Sequence, residues 1–467
     1  MLEILNPATE EVLERLEPAT DADADAAVAR AKKAFPAWRD VEPSDRSRLL
    51  RRLAEALESE QENLARLESK NTGKPIGDAR EEIGMVAETF HYYAGAPERL
   101  LGDTIPVSGG VDVTFREPLG VVALIVPWNF PLTIASWKMA PALAAGNTLV
   151  LKPAELTPLT ALEFERIARE AGIPEGVVNV VVGPGSKVGK RLVEHPDIAK
   201  VAFTGSTEVG KGIMAAAAGT IKRVTLELGG KSANVVFADA DLERAATSAP
   251  VAVFGNAGQD CCARSRILVE RSAFDEFLSL MEPAVKGMRV GDPLDADTDM
   301  GPLISADHRE KVAAYVPEDA PVAIKGEAPE GSGFWYPPTV LAPVDNKDRA
   351  AAEEIFGPVV AVIPFEDEED AVRLANDTVY GLSGSVWTQN VARALRVARR
   401  IETGVLSINS NTSVRVGTPF GGMKQSGVGR ELGPHALDYY TEVKNVYIST
   451  EGEKHSAEPW AQGAEED

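Results

Sequence analysis

The sequence predicts a parallel, doubly wound α/β fold, and three observations predict it. Short β-branched runs alternate with helical stretches, glycine turns separate them, and 467 residues are enough for two or three domains with ample core.

In chain order, residues 44–70 come first, repeating Leu49, Leu50, Leu53, Leu57, Leu64 and Leu67 at helical spacing and stopping at Gly73 and Pro75. This reads as a helical packing layer. Residues 121–151 carry one charge, Lys138, and exceed the roughly 20 apolar residues of a membrane span. Their punctuation argues for a buried unit instead. A strand over 121–126 breaks at Pro127-Trp128-Asn129-Phe130-Pro131, a helix runs to Ala145, and Gly146-Asn147 turns into a strand over 148–151. Strands over 177–182 and 200–204 flank a short helix over 188–194. A second series begins near Lys231, with a strand over 234–237, a helix capped by Asp241, a strand over 265–270 and renewed alternation over 358–408.

Composition narrows the function classes. Against 48 Lys and Arg stand 71 Asp and Glu, a formal net charge of −23. Such a surface repels phosphate backbones and acidic headgroups, so neither nucleic acid nor membrane is an expected partner. Acid-rich helices with more arginine than lysine fit an acidic, halophilic proteome. The two cysteines, Cys261 and Cys262, are adjacent and form no disulfide framework, so a cytoplasmic location is expected. The histidines are scattered and no cysteines stand at zinc spacing, so no dedicated metal site is expected.

Two glycine loops bear on cofactor binding. Residues 183–189 follow a strand and open a helix, but their spacing is G-x-G-x-x-x-G, which suits either a plain turn or a dinucleotide loop. Residues 205–211 resemble a phosphate loop until Gly212, which stands where a magnesium-binding hydroxyl belongs. An ATPase is rejected. What remains is a helix N-terminus suited to a pyrophosphate.

Two further segments carry chemistry. Residues 254–262 put Cys261 on a glycine-containing loop, where it is a nucleophile or a buried structural thiol. Residues 226–232 put Glu227 at the end of an apolar strand before Gly229-Gly230. There it is a general base with a raised pKa, or the partner of a nearby lysine.

With these motifs the chain resembles the NAD(P)-dependent aldehyde dehydrogenases over roughly residues 6–448. The resemblance rests on five blocks in family order: residues 127–131, 226–232, 258–261, 354–358 and 419–422. It implies an aldehyde dehydrogenase-like fold: a Rossmann-type NAD-binding domain over 1–99 and 119–230, and an α/β catalytic domain over 231–430. Oligomerisation segments over 100–118 and 431–449 would pair subunits into a homodimer or homotetramer, ahead of a disordered acidic tail over 450–467.

The resemblance further implies oxidation of a small aldehyde to a free acid. Cys261 would be the nucleophile that forms a thiohemiacetal and then a thioester, Asn129 the oxyanion donor, and Glu227 the base that activates water. Relatives that pass the acyl group to coenzyme A lack this glutamate. For the cofactor it implies Trp128, Lys152, Glu155, Gly185, Gly205, Ser206, Gly210, Glu354 and Phe356. Glu155 favours NAD, while Lys152 leaves NADP possible. Glu431 matches an acid on a proton path, or forms an ion pair. Arginines that anchor succinic semialdehyde in relatives are replaced by Trp137 and Gly255. With Phe130 and Phe420, Trp137 suits an apolar, aromatic or cationic aldehyde, unless it is plain core. Residues 410–415 would shape the pocket mouth, and Arg415 would serve an acidic substrate if it points inward.

Overall fold

A computed structural model describes residues 1–450, so the expected acidic tail lies outside the described residues apart from Thr450. A hairpin of Leu2–Leu5 and Val12–Leu16 opens the chain. Four helices follow: Asp21–Arg39, Pro43–Ser59, Gln61–Thr72 and Ile76–Ala94. Thr20 caps the first, its hydroxyl accepting from the Asp23 N–H while Asp23 accepts from the Thr20 N–H at 2.8 Å.

The helix expected over 44–70 is in fact two. Glu60 leaves helical geometry at φ −97°, ψ 7°, which redirects the chain while Leu50, Leu53, Leu57 and Leu64 stay buried. Gly73 closes the second helix in the left-handed conformation, with φ 81°.

The first large sheet has six strands. Its order is Gly427–Val428, Arg223–Glu227, Ile198–Thr204, Val121–Ile125, Thr148–Lys152 and Val178–Val180. All but Gly427–Val428 run parallel; that edge strand, which the sequence reading placed in the catalytic stretch, pairs antiparallel with Leu226 and Glu227. The helix Pro131–Ala144 is buried along its whole length, Lys138 included. The expected strand over 177–182 pairs only at Val178–Val180. The α-helix expected over 188–194 begins at Lys190, because a wider turn occupies Gly185–Gly189. Among the described residues no helix is long and apolar enough to cross a membrane.

The second sheet has seven strands, with Ala233–Val236, Arg266–Glu270, Val359–Phe365, Ser383–Trp387 and Val405–Ile408 running parallel. Strand Thr441–Ser449 pairs antiparallel with Gly110–Pro118 in a separate three-stranded sheet, so the two segments expected to serve oligomerisation lie together.

Register brings the carboxyl ends of the first sheet into line. Ile125 stands opposite both Lys152 and Phe203, and Thr204 stands opposite Glu227. The second sheet contributes from the opposite direction. Cys261, Glu354 and Lys231 all lie a few residues before a strand begins, so loops at its amino ends meet the carboxyl ends of the first sheet.

Candidate active site

The loop bearing Cys261 is strained and clamped. After the helix Leu242–Phe254, Asn256 and Ala257 take φ of 51° and 56°, and Gly258 follows at 69°. Non-glycine residues there cost on the order of 1 kcal/mol each, so neighbouring bonds must hold them. The Asn256 Nδ2 donates to the Asn129 carbonyl at 3.0 Å, and the Gln259 Nε2 donates to the Asn256 carbonyl at 3.0 Å. A Cβ on Gly258 would overlap the Gly357 carbonyl, so this loop packs directly on the one that carries Glu354 and Phe356.

Asn129 is 3% exposed, and its Nδ2 donates to the Gln259 carbonyl at 3.0 Å. A primary amide has two N–H groups, so one remains for an oxyanion. Cys261 is partly exposed and Cys262 is buried. A hydrogen bond with the Cys262 thiol, and then burial, push the Cys261 thiol well above its ordinary range.

Glu227 ends its strand 3% exposed, with neither carboxylate oxygen hydrogen-bonded. Burial, followed by the charge of Glu431, raises its pKa well above the usual carboxylate range. The lysine partner weighed for Glu227 is absent among the described residues, whereas the ion pair weighed for Glu431 is present, its partner being the buried ammonium of Lys138.

Cys261, Glu227 and Glu431 line one cavity of about 710 Å³. Phe130, Trp137, Trp387 and Phe420 form aromatic walls, with the Trp137 and Phe420 rings 5.1 Å apart. Trp137 and Gly255, the two positions without an anchoring arginine, both face this space. Residues 410–414 line it; Arg415 is not among its lining residues. Sequence reasoning missed Asp78, Glu81, Glu82 and Arg244, which also line it. The signal was present, because Asp78, Glu81, Glu82 and Met85 recur at helical spacing and share one face of Ile76–Ala94. Glu82 pairs with buried Lys74, while Asp78 and Glu81 join no ion pair among the described residues.

The expected cofactor residues fall into two groups. In one, the Lys152 Nζ donates to the Pro153 carbonyl at 3.0 Å and burial lowers its pKa, while Glu155 accepts from the Gly185 N–H at 3.2 Å. Ser206 caps the helix Thr207–Ala217, whose first N–H groups suit an anion. Gly205 and Gly210 have packing reasons of their own, since a Cβ at either would come within 2.5 Å of Phe203 or Leu228. In the other group, Glu354 accepts from the Gly230 N–H at 2.8 Å, and burial pushes its carboxyl up to about 7. Trp128 meets the Phe356 ring edge-on at 5.3 Å, and the His308 Nε2 donates to the Phe356 carbonyl at 2.7 Å. One group offers a helix N-terminus to an anion and the other a carboxylate beside an aromatic ring, the kinds of partner a dinucleotide takes.

The model of the aldehyde dehydrogenase family matches residues 1–446. The chain is 44% identical to a betaine aldehyde dehydrogenase of Bacillus subtilis, over 96% of this chain and 94% of the relative. The NAD+ complex of an aldehyde dehydrogenase from Bacillus cereus superposes with a TM-score of 0.94 at 44% identity, covering 96% of this chain and 93% of that one. Betaine aldehyde dehydrogenase from Staphylococcus aureus, also in complex with NAD+, gives 0.93 at 40% identity, over 96% and 91% of the two chains.

Proposed function

The chain belongs to the aldehyde dehydrogenase family, and on that premise we propose that it oxidises an uncharged or cationic aldehyde to the free acid, with Cys261 as nucleophile and Glu227 as base. The observation that carries the reading is the shared cavity. A partly exposed thiol and a buried carboxylate with no hydrogen-bond partner open onto the same aromatic-walled space.

The Cys261 thiol gives up its proton to water in the cavity, and its sulfur attacks the carbonyl carbon as the C=O pair moves onto oxygen, giving a thiohemiacetal. The free N–H of Asn129 and the backbone N–H of Cys261 hold the alkoxide oxygen, a kind of donation whose loss costs about 100 to 1,000-fold in rate. NAD, when bound, supplies the hydride acceptor that oxidises this adduct. Glu227 then takes a proton from water as that water attacks the thioester, and the acid leaves. Glu431 would pass the proton onward from Glu227, a role supported by its charge acting on Glu227 and by its buried pairing with Lys138. Trp128, Glu354 and Phe356 would hold the nicotinamide end, and Lys152, Glu155, Gly185, Gly205, Ser206 and Gly210 the adenosine and pyrophosphate end. Glu155 repels a 2′-phosphate, which favours NAD over NADP.

Substrate charge follows from the walls. Arg244 is the one basic lining residue among the described residues, against the unpaired acids Asp78 and Glu81. A carboxylate on the substrate meets net repulsion there, and an ammonium group meets attraction. Catalytic efficiency on succinic semialdehyde, betaine aldehyde and hexanal tests this. Succinic semialdehyde is expected to be poorest; its being the best of the three would refute the charge reading.

The subunit pairs into a homodimer or homotetramer in this reading, supported by the outer strand Thr441–Ser449, which exposes Val443, Tyr447 and Ile448. Two adjacent cysteines with no disulfide framework support a cytoplasmic location, and the acidic surface supports a halophilic one.

A further inference from the structure

We propose that Asp260, Cys261 and Cys262 form a three-ligand site for a soft divalent cation such as Zn²⁺, whose binding reversibly silences the enzyme. One ligand atom from each residue lies within 4.8 Å of the other two. Zinc takes sulfur at about 2.3 Å and carboxylate oxygen at about 2.0–2.2 Å, which sets tetrahedral sulfurs roughly 3.8 Å apart. The observed spacing exceeds that separation by no more than about 1 Å, so the three groups already stand near ligating distance. The spacing of cysteine and histidine in the sequence hid this site, because its third ligand is an aspartate.

The loop is built to hold these groups in place. Asp260 accepts from the Cys262 N–H at 2.8 Å, which ties its carboxylate down beside the two thiols. All three residues line the cavity, so the fourth coordination position opens to water there. Two thiolates and one carboxylate around a divalent cation leave one negative charge. Arg264, 1% exposed and donating to the Cys262 carbonyl at 2.5 Å, offsets it from the protein side.

The step balances without electron transfer. Two S–H bonds break, two metal–sulfur bonds form, and two protons leave to solvent. The Cys261 lone pair is then engaged by the metal and is not available to a carbonyl carbon. The silencing rests on Cys261 being the nucleophile, whereas the binding does not.

Cadmium titration of the full chain tests both. One Cd²⁺ per subunit is expected, with a thiolate-to-cadmium ultraviolet band of two-sulfur intensity, two protons released, and loss of NADH formation that a chelator restores. Cys262→Ala and the size-preserving Cys262→Ser should halve the band and weaken binding by about tenfold or more. Asp260→Asn should weaken binding and keep the two-sulfur band. An unchanged band and affinity in both Cys262 variants overturn the site. Full two-sulfur binding with undiminished turnover upholds the site and removes Cys261 from the nucleophile's role.

Discussion

Lys138 and Glu431 form an ion pair inside the protein, their side chains 0% and 5% exposed, and both charges act on Glu227. Glu431 raises the pKa of Glu227 and Lys138 lowers it, with burial the larger cause of the net rise. Glu227 therefore binds its proton more tightly than an exposed carboxylate does, and its ionised form gains ground as pH rises.

Turnover should rise with pH through the pKa of Glu227, since only its ionised form accepts a proton from water. Glu431→Gln removes the second-largest cause of the upward shift and leaves Lys138 unopposed. Both changes lower the pKa of Glu227, so the rising limb of kcat moves to lower pH. A limb that stays in place or moves upward contradicts the coupling.

Glu227→Gln should separate the two halves of the reaction. A single burst of NADH survives, while steady turnover falls by about 100-fold or more, the usual worth of a general base. Rapid-mixing absorbance reads both. Steady turnover at the wild-type rate removes Glu227 from the base's role.

Asp78→Asn and Glu81→Gln test the acidic helix face. The KM for betaine aldehyde should rise several-fold in the double variant, with the KM for hexanal unchanged, because only the cation is attracted to these charges. Equal shifts for both aldehydes point to altered pocket shape instead.

Lys200 gives a stability prediction with a definite sign. It is fully buried, its Nζ donates to the Thr225 hydroxyl at 2.8 Å, and burial lowers its pKa from 10.5 to about 7. Between those values the unfolded chain binds the proton that the folded chain has released, so Lys200 adds stability as pH rises from about 7 to 10.5. Lys231, lowered to about 7 by burial, acts in the same direction. In Lys200→Met the rise of Tm across this window should be smaller than in wild type.

Salt dependence follows from the net charge of −23. Many exposed acids already pair with arginine, as Glu368 does with Arg396 and Glu369 with Arg400, yet the surplus remains. Molar KCl screens its self-repulsion, so Tm and activity should both rise with KCl. Equal stability in dilute buffer refutes this.

Much of the site was legible in the sequence because its residues sit at punctuation. Asn129 lies between two prolines, Glu227 precedes a Gly-Gly turn, and Cys261 follows Gly258. Each break between strand and helix is a local pattern, and such breaks mark where side chains leave the sheet. The acidic face of Ile76–Ala94 was missed because its spacing looks the same whether it faces water or a cavity.

The sequence by itself determined the alternating elements, the Asp241 cap and the residues at strand ends, because those depend on neighbours within a turn or a pleat. Tertiary structure alone decided that the carboxyl ends of one sheet meet the amino ends of the other. It also decided that Asn129 grips the Cys261 loop through Gln259, and that of the two acids weighed for an ion pair Glu227 is left unpaired while Glu431 takes Lys138. These are contacts between residues more than a hundred positions apart, except where Cys261 meets its own neighbours. Only packing of the whole chain sets which charge is buried beside which.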